Sequence, residues 1–374
     1  MSFLDGLTEE PTPNRYKAFG YLRNPFPTRG EVRPEVYVPR AELTQLQSKF
    51  IAFLREANPT GGFWAIEGDR GVGKSNFLLH LRLELERAEG SGQLSKTAYR
   101  YVPSQAVAPR HLVEEVLQAI SQDGLVKLLA TRPVPPKNVA GTDLGRFLTA
   151  LSARPHLPGI DDKYMTSAAA FLLRWLSGHQ TYQSERGEFG IWSRERLAPA
   201  VAFPYLRSLV DLLVEAKIVE RVVLLLDEFE DVQALSSGLQ TEYVQALKGL
   251  INTFNWSRLF VILAGQRGVF ARIGEQFTSL PSRWTLVTLK PVTDTDAAYA
   301  LARAYQEAAA HELTGTQSLH QNGLRPTRTE IEAGYGRLAS ESRSVRQRDL
   351  LMALHTWVDD NLPEPPQLKS RKKG

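Results

Sequence analysis

The 374-residue chain contains no cysteine. That excludes a disulfide framework, a thiolate nucleophile and a cysteine-ligated metal site. Its seven histidines include no close pair of the H-E-x-x-H kind, so a histidine metal site is not expected either. No apolar run approaches the roughly 20 residues of a membrane span; the longest aliphatic stretch is Val222 to Leu226. The opening segment carries Asp5, Glu9 and Glu10, the reverse of a signal peptide. Together these features predict a cytoplasmic protein with no membrane partner. Net charge is only +4, too little to argue nucleic-acid binding by itself. Arginine nevertheless supplies 32 of the 45 basic residues, and arginine suits phosphate recognition and contacts between subunits. With 43% hydrophobic and 23% charged residues, the chain has an ordinary globular composition and length enough for two or three domains.

Residues 1–40 hold six of the 22 prolines and read as an extended N-terminal arm with Asn24-Pro25-Phe26-Pro27 as a local anchor. Helical spacing of Leu43, Leu46, Phe50, Ile51, Phe53 and Leu54 predicts a helix from Glu42 to Glu56, ended by Asn58-Pro59-Thr60-Gly61-Gly62. A strand is expected at Phe63–Ile66, then a helix from Ser75 to about Ala88, a strand at Thr97–Val102 and a helix at His111–Ile120. The stretch from 130 to 200 contains Pro133, Pro135, Pro136, Pro155 and Pro158 and is the least regular, with one strongly apolar helix at Ser167–Leu176. Further helices are predicted at Tyr205–Ala216 and Gln240–Phe254, and strands at Val222–Leu226, Leu259–Ala264 and Trp284–Leu289. Helices alternating with continuous apolar strands specify an α/β fold with a parallel sheet sandwiched by helices. Beyond Asp294 only helices are predicted, at 294–313, 328–339 and 345–360. The expected organisation is therefore the arm 1–40, an α/β domain 41–290 with an insertion at about 130–200, a C-terminal all-helical lid 291–361, and a basic tail 362–374.

Gly68-Asp69-Arg70-Gly71-Val72-Gly73-Lys74-Ser75 matches G-x-x-x-x-G-K-[ST] between a predicted strand and a predicted helix. Glycines let successive backbone N–H groups curl into an anion nest at a helix N-terminus. Lys74 would reach the β- and γ-phosphates, Ser75 would ligate Mg²⁺, and Asn76 closes the nucleotide-binding set. The alternative is a glycine turn that matches by chance. The strand Val222–Leu226 delivers Asp227 and Glu228 at its C-terminal end, the edge where α/β sheets bind ligands. Asp227 would hold Mg²⁺ through water and Glu228 would polarise the attacking water; otherwise the two begin an acidic loop with Glu230 and Asp231. The loop and Asp227 are expected to meet across adjoining strands. The acid pair favours a nucleotide hydrolase over a small-molecule kinase, and no N-K-x-D motif of a GTPase is present.

On these residues the chain resembles an AAA+ P-loop ATPase, on the initiator and clamp-loader side of that superfamily that includes origin-recognition and transposon-regulator ATPases. The resemblance covers residues 20–360. Asn24-Pro25-Phe26 with Val38-Pro39-Arg40-Ala41-Glu42-Leu43 is similar to the adenine-side segment of origin-recognition ATPases, with Pro39 where a glycine is usual. Gln266 stands in the sensor 1 place, where Asn or Thr is commoner. Ser282-Arg283-Trp284 resembles the Ser-Arg-Cys box of clamp loaders and implies that Arg283 is an arginine finger acting on a neighbouring subunit, with Arg267 and Arg272 as rivals and a plain surface arginine as the alternative. Arg343-Ser344-Val345-Arg346 resembles the sensor 2 motif, with Arg343 in place of glycine, and implies that Arg346 touches nucleotide from the lid; a solvated helix face is the alternative. A finer resemblance, carried by Arg174-Trp175-Leu176-Ser177-Gly178, Phe189-Gly190-Ile191 and Leu226-Asp227-Glu228-Phe229-Glu230, is to the ATP-binding proteins of BREX phage-defence systems, although Trp175 with Phe171, Leu172 and Leu173 could equally be core.

The resemblance implies ATP and Mg²⁺ as ligands, ATP hydrolysis, and a homo-oligomeric ring or filament. It also implies nonspecific double-stranded DNA as a partner, through Arg186, Arg194 and Arg196 and the tail residues Lys369, Arg371, Lys372 and Lys373, and an effector protein such as a nuclease, transposase or methylase. Origin-binding relatives append a winged helix after the lid, and the chain ends about fourteen residues past Asp360, so sequence-specific DNA reading is not expected. The expected function is an oligomeric DNA-associated switch or loader in phage defence, transposition or replication. The rivals are a slowly hydrolysing signalling switch that recruits an effector, and a small-molecule phosphotransferase with its substrate pocket in the 130–200 insertion.

Overall fold

The computed structural model describes residues 15–28, 31–94, 96–104, 111–154, 161–192, 197–254, 257–278, 280–314, 325–342 and 344–362. Arg194, Arg196, Arg343 and the basic tail lie outside them. The chain packs as two units, one drawn from Pro39–Gly68 and Phe77–Leu289, the other from the described residues of Met1–Val38, Asp69–Asn76 and Lys290–Gly374.

The first unit is built on five parallel strands, β1 (Gly62–Gly68), β2 (Thr97–Val102), β3 (Arg221–Leu226), β4 (Leu259–Gln266) and β5 (Thr285–Thr288), in the order β2-β3-β4-β1-β5. Burial on both faces explains the continuous apolar runs: all six residues of β3 and the first seven of β4 are buried. The strand order corrects one expectation. β1 and β3 are not neighbours, because β4 lies between them. All three run the same way, so Gly68, Leu226 and Gln266 still end at one edge, and the β1–β4 register sets Gly68 opposite Gln266.

Helices cover this sheet: α1 (Thr44–Arg55), α2 (Lys74–Gly90), α3 (His111–Ala130), α4 (Asp143–Ala153), α5 (Asp161–Leu176), α6 (Gln183–Glu188), α7 (Pro199–Glu215), α8 (Ser237–Phe254) and α9 (Val269–Gln276). The 130–200 stretch is more helical than its prolines suggest. Pro133, Pro135 and Pro136 stand in the connection from α3 to α4, whereas Pro199 occupies the first turn of α7, where the missing N–H costs nothing. Pro204 lies inside α7, which hides that helix's first turns from a reading of the sequence. Thr142 caps α4, its hydroxyl accepting the Gly145 N–H at 3.3 Å. The insertion has its own aromatic packing: Phe171 stacks on Phe147 at 6.2 Å and meets Phe189 at 4.8 Å. Trp175 and Leu172 are buried with them, Trp175 stacked on Tyr205 at 5.7 Å. The residues of the Arg174-Trp175-Leu176 signature thus include core residues. Phe171→Ala removes a fully buried ring and is expected to lower stability by about 3–5 kcal/mol, read by denaturant unfolding.

The second unit joins α10 (Thr295–Thr314), α11 (Arg328–Glu341) and α12 (Gln347–Asn361) to two stretches distant in sequence. Phe26 and Val36 pack into the core formed by Leu301, Tyr305, Ile331 and Leu354, and Tyr21 packs against Ala309 and Ala310. The Asn24-Pro25-Phe26 anchor is held by Arg33, itself buried, which donates to the Pro25 carbonyl at 2.7 Å and the Asn24 carbonyl at 3.2 Å. Residues 15–28 and 31–38 are therefore part of a packed body; apolar side chains spaced irregularly along a proline-rich segment do not announce that burial. Among the described residues no helix is long and apolar enough to cross a membrane.

Candidate functional site

Two groups of candidate residues stand on separate units. In the helical unit, residues 69–76 form a tight loop that opens α2. Gly71 and Gly73 have φ of +84° and +102°, conformations that favour glycine. The Asp69 carbonyl accepts the Val72 N–H at 3.4 Å and the Lys74 Nζ at 3.1 Å. Lys74 is buried and Ser75 is half-buried. The Asn76 amide nitrogen donates to the Val36 carbonyl at 2.9 Å. A Cβ on Gly71 would stand 2.8 Å from Arg348 Cβ, and one on Gly73 would collide with the Gln347 side-chain oxygen. This is the cradle that backbone approach to phosphate requires, with the start of α12 seated in it.

Arg346 is placed differently from the sensor 2 expectation. It caps α12 and grips Asp349 with both arms of its guanidinium, at 2.6 and 3.1 Å. That pairing raises its pKa above the usual arginine range, with a smaller contribution from the Asp69 charge. The next two residues face the loop instead: the Arg348 N–H donates to the Gly71 carbonyl at 2.9 Å. Gln347 and Arg348 were missed because successive helix residues point about 100° apart, and a one-residue motif assignment does not resolve which of them faces inward. The cavity beside the loop holds about 110 Å³ and is lined further by Pro27, Val32, Tyr305, Leu351 and Met352. Ligand pockets run to roughly 300 Å³ and above, so this cavity is small for a whole nucleotide. Burial pushes the Tyr305 hydroxyl up to about 12, so it remains a hydrogen-bond donor at neutral pH.

The second group lies along the C-terminal edge of the sheet. Asp227 is buried; its Oδ1 accepts the Glu228 N–H at 2.9 Å and its Oδ2 accepts the Tyr101 hydroxyl at 3.1 Å. Burial first, and then the Asp227 charge, raise the Tyr101 hydroxyl pKa, which keeps it protonated as the donor. Glu228 is exposed and left-handed, at φ 50° and ψ 45°, a turn that swings its carboxylate clear of the buried strand. The loop after β4 is clamped by two acids. Glu230, part of the Leu226-Asp227-Glu228-Phe229-Glu230 stretch, accepts the Gln266 N–H at 2.9 Å. Glu67, buried at the end of β1, accepts the Gly268 N–H at 3.0 Å and the Thr288 hydroxyl at 3.0 Å. These clamping contacts carry no sequence signal, since the partners are 36 and 201 residues away.

The arginine candidates separate clearly. Arg267 is exposed on the turn after β4, and Arg272 donates to the Gln233 side chain at 2.9 Å. Arg283 ends a 3-10 turn, Pro281–Arg283, just before β5, and its guanidinium bonds the Asn252 side-chain oxygen. In a parallel sheet the start of β5 lies at the edge opposite Asp227 and Gln266, roughly 15–20 Å away across strands of this length. There Arg283 lines a cavity of about 500 Å³ with Lys49, Phe53 and Trp64. The structure brings Glu228, Asp227 and Gln266 to one edge and sets Arg283 on the other.

A glycine-cradled phosphate loop following the first strand of a parallel sheet, with an acid pair at the end of another strand, defines an α/β P-loop NTPase fold with a helical C-terminal region. No protein-family model matches the chain, and no curated protein does. Among solved structures it is similar to the ORC1 protein of Aeropyrum pernix in complex with DNA, at 14% identity and a TM-score of 0.44 over 94% of this chain; it spans 66% of that one's length. It is also similar to the ORC2 protein of Aeropyrum pernix, with its ADPNP-ADP complexes (13%, TM-score 0.39, 88% of this chain and 70% of that one) and in its ADP form (13%, 0.40, 91% and 72%).

Proposed function

We propose that the chain is an ATP-hydrolysing AAA+ protein that works as an oligomeric, DNA-associated switch or loader, in replication, transposition or phage defence. The observation that carries this reading is the glycine cradle of Gly71 and Gly73 at the start of α2 in a chain whose sheet edge also presents the buried Asp227 beside the exposed Glu228. The positive φ of both glycines lets successive backbone N–H groups turn inward, as a phosphate-gripping loop requires. Magnesium, when bound, would supply positive charge against that developing on the phosphates. Ser75 and Asp227 are the residues to hold it; one carboxylate with a hydroxyl and substrate phosphates is a usual magnesium donor set.

In this reading the amides of Gly68, Asp69, Arg70, Gly71, Val72 and Gly73 and the Lys74 ammonium hold the phosphates. Glu228 accepts a proton from the attacking water, and Gln266, its backbone fixed by Glu230, orients that water. Residues 41–290 then serve as the nucleotide-binding domain and 291–361 as its lid. From the lid, Arg348 is better placed than Arg346 to reach a phosphate, since Arg346 is already committed to Asp349. Arg283 stands at the sheet edge opposite Asp227, which suits action on the nucleotide of a neighbouring copy.

That last point sets the test. Arg283→Ala should lower turnover at least tenfold while leaving ATP affinity within about threefold. Mixing it with Glu228→Gln, which is itself inactive, should restore partial turnover, because an intact Arg283 on one copy then faces an intact Glu228 on another. No recovery on mixing, together with an unchanged monomer on sizing columns with ATP and duplex DNA, rules out the trans-acting arginine.

A further inference from the structure

Asn76 sits next to the phosphate loop's Ser75 and lines the same cavity. Its two amide atoms have different fates. Nδ2 donates to the Val36 carbonyl at 2.9 Å, whereas Oδ1 is buried and has no hydrogen-bond partner. The Val36 bond fixes which way the amide points, because rotating it by half a turn would press two acceptors together. The atom of the side chain left without a partner is therefore the acceptor Oδ1. A buried acceptor left without a partner is destabilising, a cost removed by a ligand that brings a donor.

The rest of the lining says what kind of donor. The glycine cradle with Lys74 and Ser75 lines the cavity, as do the apolar Pro27, Val32, Leu351 and Met352, beside polar groups that include Glu31 and Tyr305. With phosphates on residues 71–75, the part of a nucleotide left for the apolar lining is the base, and Asn76, next in the chain to Ser75, lines the same cavity. Among purines, the edge position at C6 carries an amine donor in adenine and a carbonyl acceptor in guanine or hypoxanthine. We propose that the Asn76 carboxamide, oriented by Val36, reads the nucleobase: its Oδ1 accepts a hydrogen bond from the exocyclic amine of a 6-aminopurine nucleotide and disfavours a 6-oxopurine. This rests on the nucleotide-binding reading above and deepens it by naming what selects the base in a chain without a guanine-reading N-K-x-D motif.

The test is equilibrium binding by calorimetry on the full chain with ATP, inosine triphosphate, which replaces the amine by a carbonyl, and purine riboside triphosphate, which has no 6-substituent. The wild-type protein should bind ATP about tenfold more tightly than purine riboside triphosphate, equivalent to about 1.4 kcal/mol, and more tightly still relative to inosine triphosphate. In Asn76→Leu the three should fall within about twofold of one another, with ATP weakened about tenfold. Wild-type binding of all three alike overturns the base assignment and leaves the phosphate site standing, as does a leucine variant that keeps the wild-type preference. Failure of the wild-type protein to bind any of them overturns the phosphate site and this inference together. Should Asn76→Leu not fold, the wild-type series decides by itself.

Discussion

Glu228→Gln should reduce ATP turnover by a factor of about 10² to 10⁴, the range that a positioned general base supplies, while ATP affinity stays within about threefold. The substitution keeps size and shape and removes only the charge that accepts the proton. It should not disturb the fold. Glu228 is exposed, and its backbone N–H, which the substitution leaves in place, donates to Asp227. Phosphate release and calorimetric binding, measured side by side, separate the two effects. Turnover within threefold of wild type would remove Glu228 from the reaction. Asp227→Asn should behave differently, because Asp227 is buried and accepts both the Tyr101 hydroxyl and the Glu228 N–H; stability and magnesium dependence would change together.

Loss of nucleotide binding is the expected result for Lys74→Ala, with the ATP dissociation constant raised about a hundredfold or more. Hydrogen bonds to charged groups contribute about 1.5–3 kcal/mol each, and an ammonium shared by two phosphates makes more than one. Stability should barely move, and the reason is local. The Lys74 ammonium is bonded to the Asp69 carbonyl, which also accepts the Val72 N–H, so truncation leaves that carbonyl partnered. A melting temperature unchanged without nucleotide, combined with lost stabilisation by added ATP, is the signature to look for. If Lys74→Ala binds ATP as wild type does, the phosphate-loop reading of residues 68–75 fails, whatever Glu228 does.

The parts of the molecule legible from sequence are those whose signal is local. Val222–Leu226 reads as a buried strand because a strand covered on both faces has to be apolar throughout, and β3 is so. The loop 68–75 is legible because its glycines, lysine and serine are contiguous, and their covalent spacing is the chemistry. Helices α10 and α12 follow from apolar periodicity. By contrast α4, α6 and α9 are short segments of 11, 6 and 8 residues, and periodicity over so few turns is weak evidence. That the loop and Asp227 do not lie on adjoining strands is not legible from their motifs; which strand pairs with which is decided by the return path of the chain, and β4 returns between them.

Residue identity along the chain thus specified the phosphate loop, the acid pair and the parallel α/β class, because each depends on neighbours a few positions away whose backbone groups or side chains act together. Tertiary packing assigned the rest. It turned Arg348 toward Gly71, set Glu67 and Glu230 to clamp the Gln266–Gly268 loop, and left Asn76 Oδ1 buried without a partner beside the phosphate loop. Those outcomes depend on contacts between residues as many as 277 positions apart, as from Gly71 to Arg348, and a side chain's partner at such separations is chosen by how the elements pack, not by what stands next to it in the chain.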